Sequence, residues 1–137
     1  MQISPELQNV VDVSELLRPP AVPFSIERAK KLEKQTLKLR DGRDLGYIID
    51  GNREKPAVIL VHGMFGSAGT MIGGERNDLF LVMVDRPNYG ASSFHKEYTF
   101  TTWADDIREL TESLKLSKFH VVGCSSGGVR CHSSLSP

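Results

Sequence analysis

Phe119-His120-Val121-Val122-Gly123-Cys124-Ser125-Ser126-Gly127-Gly128 decides how this chain folds. The segment opens as a short apolar run, the mark of a strand buried on both faces, and passes at once into a turn rich in glycine. A turn tight enough to hold a serine hydroxyl clear of a sheet leaves no room for a side chain two residues before or two residues after that serine. Ser125 meets this condition, with Gly123 and Gly127 at the two positions. Ser126 would have Cys124 at one of them, and Cys124 in the central place would be flanked by Val122 and Ser126. The G-x-S-x-G register therefore falls on Ser125, after a strand and ahead of a helix.

Outward from this turn, two more segments are apolar on consecutive positions, Ala57 to Val61 and Leu79 to Val84. With Phe119 to Val122 they read as parallel core strands. The intervening stretches, His62 to Asp78 (17 residues) and Asp85 to Lys118 (34 residues), are long enough for the crossovers that parallel neighbours require. The second crossover holds the clearest helix, in which Phe100, Trp103, Ile107, Leu110 and Leu114 step by three and four. Asp105, Asp106, Arg108, Glu109 and Glu112 take its other faces, and Thr102 followed by Asp105 resembles a capping box. The first crossover predicts only a weak helix. Upstream, Leu37 and Leu39 alternate with Lys38 and Arg40, an Asp41-Gly42 turn follows, and Leu45, Tyr47 and Ile49 alternate in turn, which predicts a β-hairpin. The order of elements predicts an α/β fold, a mostly parallel sheet with an N-terminal antiparallel hairpin.

Residues 1–35 read as an appended, partly irregular arm, since four of the seven prolines lie within its first 23 residues. Ser25 to Lys34 predicts a short helix capped by Ser25, with a thin stripe of Ile26, Ala29 and Leu32. Residues 36–128 form the layered unit. Residues 129–137 are an atypical tail, offering little apolar surface beyond Val129, Cys131 and Leu135. The seven basic residues between Arg28 and Arg43 are interleaved with Glu27, Glu33, Asp41 and Asp44, a pattern that predicts a solvated face.

Composition narrows the function. Seventeen Lys and Arg balance seventeen Asp and Glu across 137 residues, which removes the electrostatic footprint of a nucleic-acid or anionic-membrane binder. The longest apolar run, Leu79 to Val84, is far short of a membrane span, and the N-terminus has no basic start followed by an apolar h-region. Only Cys124 and Cys131 occur, without a CxxC, so neither a disulfide framework nor a zinc or redox motif is expected, and a reducing cytoplasm is the default setting.

In an open α/β sheet ligands sit at the carboxyl ends of the strands, which makes the residues after each core strand the ones to read. After the first comes His62-Gly63-Met64-Phe65-Gly66-Ser67, which matches neither a dinucleotide fingerprint nor a P-loop. A better use is an oxyanion hole in which the backbone N–H groups of Met64 and Ser126 converge near Ser125. His62, at a strand end beside Gly63, reads as structural. After the second strand comes Asp85-Arg86-Pro87-Asn88-Tyr89-Gly90-Ala91-Ser92, where Asp85 reads as pairing with Arg86 or capping the turn.

The hairpin with its Asp-Gly turn, the strand ending in His-Gly, the strand ending in Asp-Arg-Pro-x-Tyr-Gly-x-Ser, the amphipathic helix and the strand entering G-x-S-x-G together resemble the α/β-hydrolase fold superfamily from about Thr36 to Gly128. The resemblance implies a serine hydrolase of small-molecule ester or related acyl bonds, with no metal and no organic cofactor. Ser125 matches the nucleophile, Met64 and Ser126 the oxyanion donors, and His62, Gly63, Asp85, Gly123 and Gly127 structural positions around them. Two positions depart from the family pattern, Asn88 where glycine is usual and Cys124 where histidine or another residue is usual. The resemblance covers the N-terminal half of such a domain, truncated after the nucleophile elbow. In this fold the acid and histidine of the triad follow the serine, and the chain has twelve residues after Ser125. The expectation is therefore a catalytically incomplete chain. Acyl transfer on the same fold and non-catalytic binding of a small ligand are the rival functions.

Overall fold

A computed structural model describes residues 26–128. Helix α1 (Ile26–Lys31) precedes β1 (Lys34–Lys38), β2 (Asp44–Gly51), β3 (Ala57–Val61), a 3₁₀ turn (Ala68–Met71), β4 (Phe80–Val84), helix α2 (Phe100–Ser113) and β5 (Phe119–Gly123). The five strands form one sheet in the order β1-β2-β4-β3-β5. β1 and β2 pair antiparallel through a turn in which Gly42 takes φ +88°, a conformation that glycine adopts without strain. β2 then pairs antiparallel with β4, and β4, β3 and β5 are parallel. This is the mixed sheet of an α/β fold, and each of the three apolar runs is a strand within one residue of its expected limits.

Both faces of the sheet are apolar because alternate residues of one strand feed different clusters. Phe80, Val82 and Val84 of β4 pack beneath α2 with Trp103, Ile107 and Leu110, while Met83 packs on the opposite face with Ile48 and Ala68. Ile48 explains why β2 is buried on both sides although its outer positions alternate in sequence. It is an interior strand, lying between β1 and β4. β1 and β5 are the edge strands among the described residues, and β5 is only partly buried.

Four expectations change. The first crossover carries a single 3₁₀ turn and no α-helix, since Gly63, Gly66, Gly69, Gly73 and Gly74 deny it helix-forming length. α2 begins one turn earlier than the Thr102-Asp105 pair suggests. Thr99 is its N-cap, with its hydroxyl accepting from the Thr102 N–H at 3.2 Å while the Thr102 hydroxyl accepts from the Thr99 N–H at 3.0 Å. The basic run is solvated as expected, with Lys30, Lys31, Lys34, Lys38 and Arg40 exposed, and five of its seven members also hold acidic partners: Arg28 with Asp50, Lys34 with Asp85, Lys38 with Asp44, Arg40 with Glu112, and Arg43 with Asp41 and Asp106. β1 also takes in Lys34 and Gln35, so part of the segment read as an arm belongs to the sheet. Ser25, the expected cap of α1, lies outside the described residues.

Asp106 is the fourth change, for it is buried on a helix face that the pattern leaves to solvent. The Arg43 guanidinium reaches it from the hairpin with two hydrogen bonds of 3.0 and 2.6 Å. Burial pushes the Asp106 carboxyl above its ordinary range although Arg43 draws it down, and Arg43 is held charged chiefly by its bonds to Asp106. Asp41, exposed, is held low by the Arg43 N–H and guanidinium. Arg43→Met strands Asp106 without its partner and is expected to cost about 3 kcal/mol in urea unfolding. In that variant the folded state holds a proton on Asp106 at a pH where the unfolded chain has lost it. Its stability is therefore expected to rise from about pH 7 to about pH 5.

Candidate active site

β3 and β5 are hydrogen-bonded parallel neighbours with Val61 opposite Gly123, so the loops that leave them emerge side by side. The Cys124 N–H extends the ladder by donating to the Val61 carbonyl at 3.0 Å, after which the chain reverses at Ser125. Ser125 takes φ +53°, a left-handed conformation that costs a non-glycine residue roughly 1–2 kcal/mol. Ser126 opens a helical turn, in which the Gly127 N–H donates to the Cys124 carbonyl at 2.8 Å and the Gly128 N–H to the Ser125 carbonyl at 2.9 Å.

The glycines supply space here, while the strain falls on the serine. A Cβ on Gly123 would lie 2.3 Å from the Gly127 carbonyl carbon, and one on Gly127 would lie 2.4 Å from the Val61 oxygen. Gly63 faces the same turn from the neighbouring loop, where a Cβ would stand 3.2 Å from Ser125 Cβ and 3.8 Å from its Oγ. The Ser125 side chain thus rests against Gly63 and is exposed above the strand ends. Met64 and Phe65 continue that loop, both exposed, with Phe65 at φ +60°. The Met64 N–H donates to no acceptor among the described residues, leaving it open to a ligand.

His62 sits beneath the loop, fully buried. Its Nδ1 lies 2.8 Å from the Gly63 carbonyl, which can only accept, and its Nε2 accepts from the Arg86 N–H at 3.1 Å. Both ring nitrogens are engaged and the ring is the neutral Nδ1–H tautomer. The Arg86 guanidinium also donates to the Gly63 carbonyl at 2.8 Å and stacks on Tyr89, so the loop after β4 holds the loop after β3 in place.

Asp85 is wholly buried and ties three segments together. Its carboxylate accepts from the Ala68 N–H at 2.6 Å and the Ala91 N–H at 2.8 Å, and Lys34 of β1 supplies the countercharge at 3.0 Å. A Cβ on Gly90 would strike that carboxylate at 2.2 Å. Sequence reasoning missed Lys34, which carries no local signal because its partner lies two strands away in the sheet. Asn88, where the family pattern has glycine, takes φ +73°, and its amide holds both backbone groups of His95. Asparagine tolerates that conformation better than other side chains. Cys124 is exposed at the turn.

Among the described residues no cluster of three or more His, Cys, Asp or Glu is placed to hold a metal ion, and no helix is long and apolar enough to cross a membrane.

A serine in a strained strand-to-helix turn, packed against a His-Gly loop at the ends of the parallel strands of a mixed sheet, defines the layout of an α/β hydrolase. The family model described as alpha/beta hydrolase fold matches residues 56–133, and the chain belongs to that family. A proline iminopeptidase of Lactobacillus helveticus is 35% identical over 98 residues, covering 64% of this chain and 33% of that protein. An sn-1-specific diacylglycerol lipase of Mus musculus is 28% identical over 116 residues, covering 79% of this chain and 37% of that one. The crystal structure of a hydrolase from Pseudomonas aeruginosa PA01 matches with a TM-score of 0.61 at 27% identity, over 72% of this chain and 38% of that one. The chain spans about a third of the length of the curated relatives it matches.

Proposed function

We propose that this chain carries the acyl-accepting part of a serine hydrolase site, acting on small-molecule esters or related acyl compounds. The observation that supports this reading most is the left-handed Ser125, exposed at the end of β5 and packed against Gly63. Strain of this kind persists where the surrounding structure over-determines it, and it collects at functional sites. In the reaction, Ser125 Oγ forms a bond to the acyl carbon, its proton passes to a base, and the carbonyl oxygen gains the negative charge. Met64 and Ser126 N–H groups stabilise that oxyanion. Collapse expels the alcohol or amine, and water then releases the acid and restores the hydroxyl. The setting we propose is the cytoplasm, where Cys124 and Cys131 stay reduced.

The base is what the described residues do not place at the serine. His62 has both nitrogens engaged, His120 lies within β5, and the His95 backbone is held by Asn88 in the loop after β4. Among the described residues no histidine is hydrogen-bonded to Ser125 Oγ. We therefore propose that the 137 residues by themselves are catalytically incomplete. A fluorophosphonate probe tests the assignment by where it reacts. After prolonged incubation, peptide mapping is expected to find one adduct, on Ser125, and none in Ser125→Ala. An adduct on another residue in the parent chain would remove Ser125 from the role.

A further inference from the structure

We propose that Arg86 is a positioning residue for the oxyanion donor: its guanidinium, together with His62, holds the Gly63 carbonyl turned inward, which aims and strengthens the Met64 N–H beside Ser125. The proposal rests on reading Ser125 as the acyl acceptor and adds the group that presets the donor next to it.

One peptide unit carries both groups. The Gly63 carbonyl and the Met64 N–H belong to the same planar amide, and no peptide bond among the described residues is cis, so the two point in opposite directions. Whatever holds the oxygen therefore aims the hydrogen. The oxygen accepts from the Arg86 guanidinium at 2.8 Å and from the Gly66 N–H at 3.4 Å, and it lies 2.8 Å from His62 Nδ1. His62 and Arg86 are both buried, so the carbonyl faces the interior and the N–H faces away from it. Gly63 is itself packed on the serine, where a Cβ would stand 3.2 Å from Ser125 Cβ, and the peptide that follows it borders the same turn.

Arg86 acts on this amide twice. Its backbone N–H donates to His62 Nε2 at 3.1 Å, which leaves the ring proton on Nδ1 to meet the Gly63 oxygen. Its guanidinium, 4.7 Å above the Tyr89 ring, supplies a charged donor to the same oxygen. A charged donor draws electron density from the amide and makes its N–H a better donor in turn, since hydrogen bonds in series polarise one another. The oxyanion gains its charge only as the bond to Ser125 forms, so an N–H preset in this way acts on the transition state.

Two reactions one residue apart test this in the whole chain. A fluorophosphonate bonds to Ser125 Oγ with loss of fluoride, the serine proton passing to added imidazole, and the charge that builds on the phosphoryl oxygen needs the backbone donors. Iodoacetamide alkylates the thiolate of the exposed Cys124 with loss of iodide and needs none of them. Peptide mapping reads each rate separately. Arg86→Met keeps the stem and removes the donors, and it is expected to slow Ser125 labelling about 30-fold while Cys124 alkylation stays within about 2-fold of the parent. Arg86→Lys, which keeps a charged donor, is expected to recover Ser125 labelling to within about 5-fold of the parent. An unchanged Ser125 rate in Arg86→Met, or a rate in Arg86→Lys no faster than in Arg86→Met, would overturn the proposal. A Cys124 rate that shifts along with the Ser125 rate gives Arg86 a role in the fold alone and overturns it too. An adduct on a residue other than Ser125 in the parent removes the hydrolase reading and the proposal with it, whereas an adduct on Ser125 formed at one rate in all three proteins keeps that reading and removes Arg86.

Discussion

Gly127→Ala is expected to destabilise the chain by about 4 kcal/mol or more, the range reserved for steric conflicts that the backbone cannot avoid. The added methyl would meet the Val61 oxygen at 2.4 Å and the His62 oxygen at 2.8 Å, and both are backbone atoms at the end of β3. β3 cannot retreat, since it is hydrogen-bonded to β4 on one side and β5 on the other. The turn must open instead, which frees Ser125 from φ +53° and carries it off Gly63. Gly128→Ala is the control one residue away. A Cβ there would meet nothing nearer than the Gly123 oxygen at 3.7 Å, so the change is expected to stay within about 0.5 kcal/mol. Urea unfolding of the two variants side by side measures the contrast. Equal stabilities would mean that the packing of the turn against β3 is not what holds the serine.

Asp85→Ala should rank close behind. The carboxylate is fully buried and satisfies the N–H groups of Ala68 and Ala91, with Lys34 as its countercharge. Removing it leaves two backbone donors unmet inside the protein and Lys34 without its partner. Lys34 is partly exposed and can turn to water, so the loss comes mainly from the donors and the cavity. The expected cost is about 3–5 kcal/mol by urea unfolding. Amide exchange should quicken at Ala68 and Ala91 before it quickens in β4, because the carboxylate fastens the two loops to the strand end. Uniform acceleration across the sheet would assign Asp85 a general packing role instead.

The parts of the fold legible in sequence are those whose signals are local. Three apolar runs identify β3, β4 and β5 because a strand covered on both faces needs no alternation. The Asp41-Gly42 turn marks the hairpin, and the stripe from Trp103 to Leu114 marks α2. The Ser125 register could be read because the crowding at the turn admits only glycine two residues to either side, a demand visible in the chain itself. What escaped depends on partners far along the chain. Asp106 counts as a surface residue by helical period, yet Arg43, 63 residues earlier, makes its burial possible. Lys34 belongs to a charge-mixed run that looks solvated, and its partner Asp85 shows no sign of needing a cation until β1 is placed in the sheet. The cap of α2 was misplaced by one turn because Thr99 and Thr102 satisfy each other, a reciprocal pair that does not match the Ser/Thr-x-x-Glu/Gln pattern. The 3₁₀ turn after β3 shows glycine's effect more than any periodicity.

We propose a serine poised for acyl transfer with no base beside it among the described residues, and the rate of Ser125 phosphonylation measures both halves of that proposal. Loss of a triad histidine lowers turnover on the order of 10⁶-fold in a worked protease case, so the rate should be very slow in plain buffer. Imidazole added to the solution offers the missing base, and the rate at Ser125, read by intact mass and mapped by peptide, is expected to rise in proportion to its free-base concentration. Rapid stoichiometric labelling that ignores imidazole would contradict the account, since it would require one of the chain's own groups already to be taking the serine proton.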